Sequence, residues 1–571
     1  MSIAKPWIAS YPQEIPASLE YPRVPLTHFL EQAVKEFPNN IALHYMGKRL
    51  TFSELLNQSY QFAHALVKLG VKKGDRVAVM LPNCPQAVIA FYGALFAGAV
   101  VVQTNPLYTE RELTHQLADS GAETIVTLDL LFNRVMKVKP DTAVKNVIVT
   151  SVGDYLPFIK KLFYPFVQRK QGQNPQVQYG NGVESFLSLV KESAPTPMKV
   201  DIDPEKDLAL LQYTGGTTGV AKGVMLSHKN LVANATQCKA ILYKLRPGKE
   251  KILGALPFFH VYGMTTVMNM GILLAGETIL IPRFDVKQIL EAIHKEKPTL
   301  FPGAPTMYIA LINHPDLKNY NLSSIEACIS GSAPLPVEVQ QRFEELTGGK
   351  LVEGYGLTES SPVTHANLIW GKRVSGSIGL PWPDTDCQIV DPGSGEELPL
   401  GQVGELAVKG PQVMLGYWNR PEETSATLRD GWLLTGDMAY MDEHGYFYIV
   451  DRKKDMIIAG GYNIYPREVE EVLFEHPAIL EAAVVGVPDP YRGETVKAFI
   501  VKKKDTDITE DELNQFCRKR LAAYKVPRLY EFREDLPKTM VGKVLRRHLQ
   551  EESKKQMEAE QAAHSAQSKA E

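Results

Sequence analysis

Cysteine is scarce in this chain. Cys84, Cys238, Cys328, Cys387 and Cys517 are odd in number, widely scattered and never arranged as C-x-x-C, which argues against a zinc site and a disulfide framework. Reduced, cytoplasmic thiols are the simple reading. Excess charge is also lacking. Lys and Arg number 62 against 65 Asp and Glu, leaving −3 and none of the basic footprint of a general nucleic-acid binder. The opening MSIAKPWIASYPQEIP has no apolar core of signal-peptide length. A Walker A loop, G-x-x-x-x-G-K-[ST], is missing too. Every Gly-Lys pair, at Lys48, Lys249, Lys350, Lys372 and Lys543, is followed by a residue other than Ser or Thr. That excludes an ordinary P-loop kinase or GTPase. Residues 77–109 and 252–276 contain no Asp, Glu, Lys or Arg, but prolines and glycines interrupt both. They read as buried core, not membrane spans.

At 571 residues the chain is too long for one compact core, so two or more domains are expected. From about residue 20 to 450, short β-branched runs alternate with helical patterns, which implies βαβ units and a largely parallel sheet. Residues 153–200 are irregular, and the basic patch Lys160, Lys161, Arg169 and Lys170 is expected in a surface insertion or loop. Around 385–450 glycines and prolines punctuate short strands, as in a β-rich subdomain. Asp451-Arg452-Lys453-Lys454-Asp455 is a charged break and a natural boundary. Beyond it, a helix opens at Pro466, a strand follows near 482–487, and Thr509-Glu510-Asp511-Glu512 is a capping box. The expected fold is α/β. Residues 1–450 form a large N-terminal domain of mixed and parallel sheets flanked by helices, with a β-rich subdomain. Residues 451–552 form a small, mobile α+β domain, and 553–571 a polar tail, either a frayed helix or disordered.

What is present in unusual density is glycine and threonine at one place. Tyr213-Thr214-Gly215-Gly216-Thr217-Thr218-Gly219-Val220-Ala221-Lys222-Gly223 holds four glycines, three threonines and one lysine. Glycine lets backbone N–H groups approach an anion, threonine adds hydroxyl donors, and Lys222 adds a point charge. That composition suits a polyphosphate. Gly331-Ser332-Ala333-Pro334-Leu335 is a tight turn against which a purine can slide. Glu353-Gly354-Tyr355-Gly356-Leu357-Thr358-Glu359 joins an aromatic ring, a hydroxyl and a carboxylate of the kind that takes Mg²⁺. Thr435-Gly436-Asp437 ends in an acid able to accept from two ribose hydroxyls. Lys543 follows Gly542 on a loop near the C-terminus.

In their order and spacing these motifs resemble the AMP-forming acyl-adenylate superfamily, which includes acyl- and aryl-CoA ligases, adenylation domains of peptide synthetases and firefly luciferase. The resemblance runs from about residue 20 to 550. LQYTGGTTGVAKGVMLSH, LPFFHVYGMT, VEGYGLTESSPVTH and DGWLLTGDMAYMDEHGYFYIVDRKK are similar to its bacterial long-chain fatty-acid–CoA ligase branch. Gly216 stands where the wider family more often has Ser, and Ala221 where it often has Pro.

The resemblance implies an enzyme that uses ATP, Mg²⁺ and coenzyme A in two steps. A carboxylate attacks the α-phosphate of ATP, and the thiol of CoA then displaces AMP from the acyl-adenylate. Lys543, with Thr358 and Glu359, is implied as catalytic. Thr214 to Gly219 and Lys222 are implied to hold phosphates, and Glu359 with Thr218 the metal. Gly331 to Pro334 and Glu353 to Gly356, Tyr355 foremost, are implied to flank adenine, with Ile449 alongside. Asp437 and Arg452 are implied to hold ribose. Asp451 is the implied hinge, about which the small domain exchanges Lys543 for the CoA-lining Gly460, Gly461 and Tyr462. His260, Tyr262, Gly263, Met264, Gly303 and Val363 are implied to line an acyl tunnel, Gly263 by leaving room for a long chain. The partners implied are small molecules. Loose contact with the inner membrane face and a homodimer are both compatible with the sequence. An aryl-CoA ligase and a carrier-loading adenylating enzyme are the rival enzyme readings. A non-catalytic sensor is disfavoured because Lys222, Glu359, Asp437, Arg452 and Lys543 are all present.

Overall fold

The computed structural model describes residues 5–170, 172–173, 175–214, 221–459, 462–489, 491–504, 506–539 and 542–567, with 462–463 and 558–567 described by backbone alone. Six parallel strands form the centre of the largest sheet, in the order Leu208–Thr214, Val100–Gln103, Arg76–Met80, Thr124–Leu128, Asn146–Thr150 and Val183–Ser185. The first of these turns back antiparallel into Lys222–Ser227, which pairs in turn with Gly416–Tyr417. All twelve residues of helix Pro85–Phe96 are buried, which accounts for the uncharged run around it. The second uncharged run is likewise interior, packed as Lys251–Gly254 and the helical turns from Val261 to Leu273. Among the described residues no helix is long and apolar enough to cross a membrane. Caps set the helix starts: at Thr51 the hydroxyl accepts from Glu54 N–H while the Glu54 carboxylate accepts from Thr51 N–H at 2.8 Å.

A second sheet runs Lys48–Thr51, Ile41–Tyr45, Glu277–Leu280 and Lys251–Gly254. Leu300 bridges it to Ala327–Ser330, Lys350–Gly356, Val363–Ala366 and Leu380–Pro381. The β-rich part is antiparallel and includes Gly404–Lys409, Trp432–Met441 and Phe447–Arg452. Beyond residue 452 lies a separate five-stranded sheet with its own two cores. Along Ile479–Asp489, Ala482 and Val484 face one core and Ala483, Val485 and Val487 the other, the two-residue period of a strand covered on both faces.

Two expectations sharpen. The basic patch lies on the surface helix Phe158–Lys170 and not in a loop. Of the two alternatives for the segment from 553, the helix is the one found: residues 553–567 continue helix Arg546–Gln567. Ser553 is buried there and accepts from Lys497 Nζ at 3.2 Å, so the helix is anchored to the small sheet after the polar run begins. All five cysteines are buried and unpaired with one another.

Candidate active site

The three sheets and the C-terminal part enclose a cleft of about 2860 Å³. One wall is the antiparallel hairpin. Thr214 and Lys222 sit directly opposite each other in its register, so the glycine-threonine loop is pinned at its base. Gly215, Gly216, Thr217, Thr218 and Gly219 lie outside the described residues. Lys222 Nζ stands 5.2 Å over the Tyr417 ring, and the Tyr417 hydroxyl donates to Glu359 Oε1 at 2.8 Å. Tyr417 reaches this position because its strand pairs with Lys222–Ser227. Lys222, Tyr417 and Glu359 therefore form one line along the cleft. Among the described residues the second oxygen of Glu359 has no hydrogen-bond donor, and a carboxylate oxygen is the ligand Mg²⁺ prefers.

Opposite them, Asp437 and Arg452 are register partners on adjacent strands, with Arg452 Nε 3.4 Å from Asp437 Oδ1. Tyr355 donates its hydroxyl to Asp437 Oδ2 at 2.5 Å. Its ring therefore borders the cleft with its tip committed to the acid. The turn at Gly331–Pro334 is held from behind, where Leu335 N–H donates to Glu353 Oε2 at 3.1 Å. Burial pushes the Glu353 carboxyl up, opposed by Arg467, whose Nη2 lies 3.8 Å from Oε1. Glu353 lines the cleft, and its carboxylate supports the turn and meets the C-terminal part.

Lys543 comes to this cleft from the C-terminal part. Burial, with Arg452 as the next cause, pushes its amine down to about 7. Its loop is braced by Lys543 N–H donating to Thr539 Oγ1 at 3.1 Å and Thr539 N–H to Lys543 O at 2.8 Å. A Cβ on Gly542 would lie 2.0 Å from Thr306 Oγ1, so this loop rests directly on the large domain. His260 also faces the lysine. Burial and then Lys543 push it down to about 4, and its Nδ1 accepts from Tyr262 N–H at 3.3 Å, leaving the proton on Nε2. At the junction, Asp451 accepts from Arg452 N–H at 2.7 Å and Arg467 N–H at 2.8 Å, the latter in the first turn of helix Pro466–Phe474. Burial raises its carboxyl to about 6 against the pull of Arg546.

Most of the described residues expected at the site line this cleft, including Thr358, Ile449 and Val363. Gly263, Met264 and Gly303 do not. A Cβ on Gly263 would meet the Pro257 carbonyl oxygen at 2.4 Å, so its missing side chain admits a backbone and not a fatty chain. Met264 is fully buried in the core, and Gly303 makes room for the Tyr308 ring. Tyr262 lines the cleft but anchors itself, donating to Ile329 O at 2.7 Å. Gly460 and Gly461 lie outside the described residues, and Tyr462 is described as the start of strand Tyr462–Ile464. Tyr417 and Thr306 carried no local sequence signal. Each becomes visible only through its contacts with Glu359 and Gly542.

Residues 30–418 match the family described as AMP-binding enzyme, and residues 468–543 match the AMP-binding enzyme C-terminal domain. The chain belongs to the AMP-binding enzyme family. It is 58% identical over 553 residues to the long-chain-fatty-acid–CoA ligase of Bacillus subtilis (strain 168), covering 97% of this chain and 99% of that protein. Among solved structures it resembles ATP-bound MatB from Rhodopseudomonas palustris (TM-score 0.82, 29% identity, 93% of this chain and 99% of that one). The apo form of MatB matches at a TM-score of 0.73. The anthranilate CoA ligase AuaEII in complex with anthranoyl-AMP gives 0.83 at 27% identity, covering 94% of this chain and 98% of that one. ATP is the ligand named for that MatB structure, and CoA ligation the activity named for the Bacillus subtilis relative.

Proposed function

We propose that the protein is a long-chain fatty-acid–CoA ligase, converting ATP, a fatty acid and CoA into acyl-CoA, AMP and diphosphate through an acyl-adenylate. The observation that carries the reading is Lys543, a C-terminal lysine buried in a cleft that also holds the Thr214–Lys222 hairpin, Glu359 and the Asp437–Arg452 pair. Likeness over nearly the whole chain to a relative named for this reaction supports the substrate class.

The first step must bring two anions together. A carboxylate oxygen attacks the α-phosphorus of ATP, and diphosphate leaves with the electron pair. Lys543 lies between the two reactants and offsets their charge as the bond forms. Burial and the cations Arg452 and Lys454 outweigh the pull of Asp437 and Asp455 and leave its amine near 7, and the two substrate anions would restore its proton. Closure is thereby coupled to occupancy. Lys222 and the hairpin hold the departing phosphates. A magnesium ion held by Glu359 and phosphate oxygens would offset further negative charge. Asp437 accepts from ribose hydroxyls with the lone pairs that Tyr355 and Arg452 leave. His260 offers its Nε2–H to the substrate carboxylate.

In the second step the thiolate sulfur attacks the acyl carbonyl and AMP leaves. No group in the cleft needs to act as base, since the mixed anhydride is already activated. We place the domain division at 450/451 and the hinge at Asp451. Rotation there would separate Arg467 from Glu353 and Gly542 from Thr306, withdraw Lys543 and bring the segment around 460–462 to the CoA path. Because the proposed acids partition into bilayers, we extend the reading to peripheral contact with a membrane surface.

The test is diphosphate release by the purified protein, followed by mass analysis of thioesters formed from competing acids of graded length. Release is expected only when ATP and a fatty acid are both present, with long-chain thioesters dominating. Release without acid, or conversion of aromatic acids alone, would overturn the proposal.

A further inference from the structure

Helix Phe158–Lys170 is turned inside out relative to an ordinary surface helix. Its inward contacts come from residues spaced by four. Lys160 Nζ donates to Met46 O at 2.8 Å, the Tyr164 ring packs on Gly153, and Gln168 Nε2 donates to Asp129 Oδ2 at 3.4 Å. The opposite face presents Phe158, Ile159, Leu162, Phe163 and Phe166 to solvent, from 56% exposed at Phe163 to 83% at Phe158. Soluble monomers rarely leave so contiguous an apolar patch uncovered. The helix sequence FIKKLFYPFVQRK contains no acid, and Lys161, Arg169 and Lys170 make no ion pair among the described residues. This local positive charge contrasts with the net −3 of the chain.

We propose that this helix docks the protein on an anionic phospholipid bilayer, lying in the headgroup plane with its apolar face inserted. At 13 residues it spans roughly 20 Å, long enough to lie along an interface and too short to cross one. Apolar insertion flanked by lysine and arginine is the pattern of an interfacial helix. Charge complementarity favours lipid over a second copy of the chain, because the patch carries no acid to meet its own basic residues. The helix packs against Asp129 and Gly153, which follow the carboxyl ends of strands Thr124–Leu128 and Asn146–Thr150. Those strands run parallel to the ones ending at Gln103 and Thr214, both of which line the cleft. The docking face and the cleft thus share one edge of the sheet. The proposal rests on the fatty-acid reading for its purpose, and its geometry stands on the helix alone.

The experiment is co-sedimentation of the full chain with vesicles of pure phosphatidylcholine and of equal parts phosphatidylcholine and phosphatidylglycerol. The protein is expected to sediment with the anionic vesicles and to be released by high salt. Leu162→Glu with Phe166→Glu should reduce the bound fraction at least tenfold. Lys161→Gln with Arg169→Gln and Lys170→Gln should abolish the preference for anionic lipid. Thioester formation from a soluble acid without vesicles should be unchanged in both variants, which reports separately on the enzymatic reading. As a second measurement, Phe163→Cys carrying an environment-sensitive dye should shift its emission to the blue on adding anionic vesicles. Unchanged sedimentation of the glutamate variant, no binding by the parent, or an unshifted dye would overturn the proposal. So would a parent dimer that the glutamate variant splits while neither binds vesicles.

Discussion

Gly542 offers a direct handle on whether Lys543 works from the seated position of its loop. Its φ is +76, and an added Cβ would lie 2.0 Å from Thr306 Oγ1 and 3.1 Å from Thr306 Cβ. Gly542→Ala meets two costs. The left-handed backbone costs an L-residue about 1–2 kcal/mol wherever the loop keeps that conformation. The overlap with Thr306 arises only when the C-terminal part is seated on the cleft, and relieving it costs about 1–3 kcal/mol. At about 1.4 kcal/mol per tenfold, the pose-specific share slows acyl-adenylate formation by roughly 5- to 150-fold. Thioester formation from supplied acyl-AMP does not pass through this pose and should keep most of its rate. Thr306→Ala removes the oxygen and leaves only the contact near 3.1 Å, so the double variant should regain much of the lost adenylation. The two half-reactions are measured separately, by diphosphate release and by thioester mass, for both single variants and the double. Wild-type adenylation by Gly542→Ala, equal loss in both half-reactions, or no recovery in the double variant would refute the reasoning.

Lys543→Ala should lower adenylation by about 10²- to 10³-fold and spare the thioester step, as two half-reaction assays will show. Tyr417→Phe keeps the ring beneath Lys222 but frees Glu359 Oε1, and should raise the Mg²⁺ requirement by about tenfold in a metal titration of diphosphate release. Lys543 is held near 7 when seated and returns to its ordinary 10.5 when withdrawn. Between those values the withdrawn form binds more protons, so raising the pH across that window favours the seated, ligand-free pose. Below about 7 both forms are charged and the full penalty of burial remains. Distances between spin labels on the two parts should report a seated population that grows from pH 7 to 10 in the parent and stays level in Lys543→Met.

Residues whose chemistry is local were legible in the sequence. The glycine-threonine run is conspicuous by composition, Asp437 stands out as an acid beside a glycine turn, and Arg452 belongs to a charged run whose role only the family resemblance implied. The charged break at 451 was visible because polar density interrupts strand patterning. Other features depend on which surfaces meet. Tyr417 is an ordinary tyrosine until its strand pairs with Lys222–Ser227. Gly263 reads as spare volume until Pro257 fills the space. Glu353 sits in a conspicuous motif, yet its carboxylate is spent on Leu335 and Arg467, which lie 18 residues away and in the other lobe. In 158–170 the basic residues were evident, but only the docking of Lys160, Tyr164 and Gln168 decides which way the apolar side points.

The interior placement of Cys84, Cys238, Cys328, Cys387 and Cys517 has a chemical corollary. An acyl-adenylate acylates any thiolate it meets. With every sulfhydryl of the chain shut away, and burial pushing several of them up (Cys84 to about 12), the sulfur that reaches the activated carbonyl is the one the pantetheine arm delivers. Selectivity for the incoming acceptor over self-modification is in this way secured by where the chain hides its own nucleophiles.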